Sequence, residues 1–90
     1  MLKLKEKFHS SKMKKSQDPS EWILELEELQ DRLEEMNHAI SDEDMMVHII
    51  SNLPKNYEFE KKFLRKKLKK EKLTLDEIVE ELEQAYEESG

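Results

Sequence analysis

Between residues 22 and 36 the apolar positions are Trp22, Leu26, Leu29, Leu33 and Met36, at steps of four, three, four and three that put them on one helix face. Asp18, Pro19 and Glu21 stand just ahead of this stripe. They supply an N-cap oxygen, a first-turn proline and a glutamate three residues past the cap. The stripe stops near Asn37-His38. A second start is written at Ser41 with Asp44, where Asp42, Glu43 and Asp44 favour the positive end of a helix dipole. A third is written at Thr74 with Glu77. In both, an apolar residue precedes the cap and another follows five residues later, Ile40 with Met45 and Leu73 with Ile78, as in a hydrophobic staple.

Behind the second start, Met46, Ile49, Ile50 and Leu53 form a shorter face, which Pro54 closes by disfavouring a helical residue before it. Tyr57, Leu64 and Leu68, flanked by Phe59 and Phe63, mark another helix, and Ile78, Val79, Leu82 and Tyr86 mark the last. Leu4 and Phe8, one turn apart, mark a short N-terminal helix that ends before Ser16. The pattern predicts an all-α compact bundle of four main helices plus the short N-terminal one. Its core is expected from Trp22, Leu26, Leu29, Leu33, Ile49, Ile50, Leu53, Leu64, Leu68, Ile78 and Leu82.

Composition supports the same class. One glycine, two prolines and no Asn-Gly or Asp-Gly pair leave strands without hairpins, while Glu, Lys, Leu and Met favour helix. At 36% apolar and 42% charged residues the chain is polar, yet apolar enough to build a core. With no cysteine there is no disulfide framework and no thiolate metal site. The apolar runs Trp22 to Leu24 and Met45 to Val47 fall far short of the ~20 residues of a membrane span. The N-terminus is too interrupted by charge for a signal peptide. We therefore expect a soluble, cytoplasmic protein with no membrane partner.

The net charge of −6 conceals segregation. Six lysines against Glu6 dominate residues 1–15, eleven acids against Arg32 dominate residues 16–54, eight bases against Glu71 dominate residues 61–72, and residues 73–90 hold seven acids and no base. Blocks of alternating sign suit helices packed side by side, or neighbouring copies of one domain.

Candidate chemistry is sparse. His9, His38 and His48 are the only histidines, and no two sit at helical ligand spacing, so no metal or other cofactor is expected. No serine lies on a glycine-flanked elbow, and one terminal glycine excludes glycine-rich phosphate loops, so neither catalysis nor a small-molecule substrate is expected. The basic run offers Lys61, Lys62, Arg65, Lys66 and Lys69 to nucleic-acid phosphate, with two aromatics nearby. Against that reading, the bases wrap most of the helix, acidic helices stand on both sides, and the aromatics are expected in the core. The helix from Asp42 to about Asn52 holds more apolar residues than one core stripe needs. If Met46, Ile50 and Leu53 face inward, then Met45, His48 and Asn52 lie on another side with Ile49 at the border, and these four form the expected self-association surface.

The order of segments resembles the Gag polyprotein of copia-type LTR retrotransposons. Lys12-Met13-Lys14, Ser20-Glu21-Trp22-Ile23, Leu29 through Leu33, Ile40-Ser41-Asp42-Glu43-Asp44, Leu53-Pro54-Lys55-Asn56-Tyr57 and Leu73-Thr74-Leu75-Asp76-Glu77-Ile78 carry the likeness, which runs from about Leu4 to Tyr86. The same stretch is similar to the C-terminal half of a retroviral capsid protein. Gln17 and Glu21 keep the Gln/Glu spacing of its major homology region, while the arginine of that region eight residues after the Glu is Leu29 here, with Arg32 nearby. The resemblance implies one Gag capsid-like helical domain over residues 1–90, with an N-terminal helix within 1–15 and a capsid C-terminal-like bundle over 16–90. It implies a structural protein whose dimerisation, through a helix placed where Asp42–Asn52 stands, joins copies into the shell of a virus-like particle. Gag proteins often carry a zinc knuckle downstream, and this cysteine-free chain does not, so an excised fragment or a domesticated host protein is expected. Its partner is then itself, as a dimer or larger oligomer. The alternatives are an RNA-binding module working through the basic helix, and a regulatory dimerisation domain descended from Gag.

Overall fold

Side-chain caps set where three of the helices begin. In the computed structural model, which describes residues 3–70 and 72–89, Asp18 Oδ1 accepts from the Ser20 N–H at 3.0 Å, Ser41 Oγ from the Asp44 N–H at 3.1 Å and Thr74 Oγ1 from the Glu77 N–H at 3.2 Å. Each acceptor satisfies one of the N–H groups that a helix start leaves unpaired. The element order is α1 (Lys3–Ser10), α2 (Pro19–Glu35), α3 (Asp42–Ser51), a 3-10 turn (Lys55–Tyr57), α4 (Glu58–Lys69) and α5 (Leu75–Ser89). Among the described residues there is no strand, and no helix is long and apolar enough to cross a membrane.

The end of α2 is equally local. Asn37 has φ 62°, in the left-handed region, so that its N–H reaches the Glu34 carbonyl at 3.1 Å while the His38 N–H reaches the Leu33 carbonyl at 2.8 Å. This pair of bonds is a Schellman stop, with asparagine in the place glycine most often takes.

The stripes converge on one core. Of the expected residues, all but Leu68 are buried; Leu68 is half-buried and packs against the core edge. Phe8, Met13, Ile23, Met45, Tyr57 and Leu73 join them. α2 lies against α1 on one side and α5 on the other, and α5 in turn meets α4 and α3. The short axis of the molecule is 17 Å, against 39 and 29 Å for the others. With helix axes 8–10 Å apart, that depth holds about two layers, so each helix keeps a long face in water.

Phe8 and Met13 show that the N-terminal segment belongs to the core. The Met13 N–H donates to the Asn52 carbonyl at 3.3 Å, and Trp22 Nε1 donates to Ser11 Oγ at 2.9 Å. The segment lies across α2 and α3 and covers the flank of α3 at His48 and Asn52.

Candidate association and nucleic-acid surfaces

Met45 and Ile49 are fully buried, not exposed on an outer face of α3. This corrects the expected orientation. The inward arc of α3 contains Met45, Ile49 and Ile50, while Met46 is half-buried and Val47 is the large apolar residue left exposed. The N-terminal segment covers the flank of α3 that carries His48 and Asn52. Phe8 stacks on the His48 ring at 4.4 Å, and His48 Nε2 donates to the Ser11 carbonyl at 3.0 Å. A carbonyl can only accept, so Nε2 carries the proton and Nδ1 is the acceptor for Asn52 Nδ2 at 3.3 Å. Asn52 Nδ2 also donates to the His48 carbonyl at 2.8 Å. The two polar members of the expected surface, His48 and Asn52, are thus half-buried partners in a clasp that holds residues 8–13 against α3. Burial pushes the His48 pKa below its ordinary value, and nearby His9 pushes the same way.

The three histidines, separate in sequence, line one open groove of about 600 Å³ together with Phe8, Ile40 and Val47. Among the described residues, no group of three or more His, Cys, Asp or Glu side chains is placed to share a metal ion.

On α4, Lys62, Arg65, Lys66 and Lys69 are exposed, whereas Lys61 is half-buried at the flank of the helix. The aromatics differ from expectation. Phe59 is 76% exposed and Phe63 40% exposed, so neither belongs to the core. The core already has Tyr57 and Leu64 on the inward face of this segment, and Phe59 and Phe63 fall outside that arc. Phe59, Lys62, Phe63 and Lys66 stand at i, i+3, i+4 and i+7 and share one outward face. Lys67 sits 5.3 Å from the Phe63 ring centre and forms an ion pair with Glu77 of α5 at 3.0 Å.

A further exposed residue escaped the sequence reading. Leu24, 60% exposed, borders a depression of about 370 Å³ between α2 and α5, with Val79, Glu27, Asp76 and Glu80. The signal was present in the sequence, because Leu24 stands two residues after Trp22 and so lies off the inward stripe.

Gln17 and Glu21 do not form a shared network. Gln17 Oε1 accepts from the Lys14 N–H at 3.1 Å and closes a local turn, while Glu21 and Arg32 are exposed. The molecule is thus a thin all-α module with charged and apolar faces. Its sequence matches the family described as gag-polypeptide of LTR copia-type over residues 1–89, and the chain belongs to that family. No curated protein and no solved structure matches it.

Proposed function

We propose that this chain is a Gag structural module whose copies associate, capsid-like, into the shell of a cytoplasmic particle. The observation that supports this most directly is the apolar surface the fold leaves uncovered. Leu24, Met36, Val47, Phe59 and Phe63 are all exposed at 40% or more, on a chain whose family is a structural one. Exposed large apolar groups near segregated charge are what an interface between copies uses. Sedimentation velocity over a wide concentration range is the test. Association that grows with concentration supports the reading, and a monomer at every concentration removes it.

A second reading has its own observation. Phe59 and Phe63 interleave with Lys62 and Lys66 on one exposed face, which suits stacking of unpaired bases beside phosphate contacts. Titration of single-stranded RNA at several salt concentrations tests it, since each phosphate neutralised steepens the fall of affinity with salt. Affinity that is salt-insensitive or absent removes this reading.

A further inference from the structure

Two ridges of opposite sign run side by side on one face of the molecule. The first is the outward face of α4, which Phe59 and Phe63 share with the lysines at 62 and 66. The second is the outward face of α5, where Asp76, Glu80 and Glu87 are exposed. α4 and α5 are packed neighbours, tied by the Lys67–Glu77 ion pair, which is the one ion pair among the described residues. Most of the charge on both ridges is therefore available to another molecule.

We infer, resting on the self-association reading above, that the basic α4 ridge of one copy seats on the acidic α5 ridge of a second copy of this chain. Charge complementarity selects this occupant. Two unlike stripes lying side by side become complementary to themselves when a two-fold axis runs between them, because each then faces its opposite across the axis. Phe63, flanked by Lys62 and Lys66 and level with Glu80 across the groove between α4 and α5, is the apolar anchor of the contact. The depression between α5 and α2, lined by Leu24, Val79, Glu27, Asp76 and Glu80, offers an apolar seat among acids to an aromatic flanked by lysines. Nucleic acid suits the same face less well, because the acidic ridge beside α4 repels phosphate.

The experiment uses the full chain and two charge reversals, Lys62→Glu with Lys66→Glu, and Glu80→Lys with Glu87→Lys. These side chains are exposed, and circular dichroism checks that each variant folds. Each double variant alone should associate at least about tenfold more weakly than the parent, and an equimolar mixture of the two should regain the parent's affinity. Phe63→Ser, at an exposed position, should weaken association with no change in the helical spectrum. A parent that associates while neither reversal alters its affinity would overturn the inference and leave self-association standing on another surface. Reversals that each weaken association but fail to complement in the mixture would also overturn it. A parent that stays monomeric even at low salt would take down both readings. Loss of single-stranded RNA binding in the α4 reversal, with association unchanged, would overturn the inference and assign the ridge to nucleic acid.

Discussion

Tyr57 and His48 are polar side chains set against the core, and their environments treat them differently. The Tyr57 ring is almost fully buried, and its hydroxyl has no hydrogen-bond partner among the described residues. Burial raises its pKa, with Tyr86, Glu60 and Asp18 adding to the effect, so the hydroxyl stays protonated and unsatisfied. An unsatisfied buried hydroxyl costs about 1–3 kcal/mol. Tyr57→Phe should therefore leave the fold as stable or raise its stability by about 1 kcal/mol, read from the urea midpoint, and a clear loss would mean that the hydroxyl is bonded. His48 is satisfied in its neutral form, with Nε2 donating to Ser11 and Nδ1 accepting from Asn52. A proton on Nδ1 would set two donors against each other. With the folded pKa lowered below the ordinary 6.5, the unfolded chain binds more protons between the two values, so stability rises with pH across that window. The His48 contribution is complete above about 6.5 and is lost as pH falls below it. The melting temperature should drop from pH 7 to pH 5, and the drop should shrink in His48→Gln; equal drops would dismiss the clasp as a titrating element. Neither environment was legible in the sequence. The spacing marked Tyr57 as inward-facing but could not tell whether its hydroxyl finds a partner. The partners of His48 come from residues 8–13, too distant in sequence for helix periodicity to register.

Helix boundaries were largely legible because caps are local. Asp18, Ser41 and Thr74 each bond an N–H two or three residues away, and no distant segment is needed to place them. The rotation of α3 was not legible, because its apolar positions allowed either Met46 or Met45 to face inward and packing chose between them. The hydrophobic pair Ile40 and Met45 already pointed inward, and the N-terminal segment then covered the flank containing His48. α4 erred the other way: its aromatics were expected in the core, yet Leu64 and Tyr57 fill that arc. Thr74→Ala should cost roughly 0.5–2 kcal/mol, since the Glu77 N–H loses its acceptor. An unchanged melting temperature would show that α5 begins independently of its cap. At the other kind of helix end, Asn37 tolerates the left-handed conformation that a branched side chain resists. Asn37→Gly should match or exceed the parent in stability, while Asn37→Val should lose about 1–2 kcal/mol. Equal urea midpoints for the two variants would mean that the turn after α2 has re-formed another way.

At the scale of the whole molecule, the N-terminal segment and the later helices share one core. Phe8 and Met13 lie in the same buried cluster as Trp22, Ile49 and Leu82. A chain this small buries only a modest fraction of its surface, so losing any part of that cluster is costly. Phe8→Ala should destabilise by about 3–5 kcal/mol, the usual cost of deleting a buried phenylalanine, although α1 has only eight residues. Trp22 supplies an internal reporter. It is the only tryptophan, it is almost fully buried, and its Nε1–H is held by Ser11 of the N-terminal segment. Its fluorescence therefore follows docking of that segment, while circular dichroism follows the helices, most of which lie elsewhere in the chain. If the core is one cooperative unit, the two signals should trace the same thermal transition in the parent. In Phe8→Ala both should move to lower temperature together. A fluorescence change that precedes the loss of helix would mean that residues 3–13 undock as a separate unit. The face of α3 around His48 and Val47 would then open before the bundle unfolds, and shared burial would not amount to shared stability.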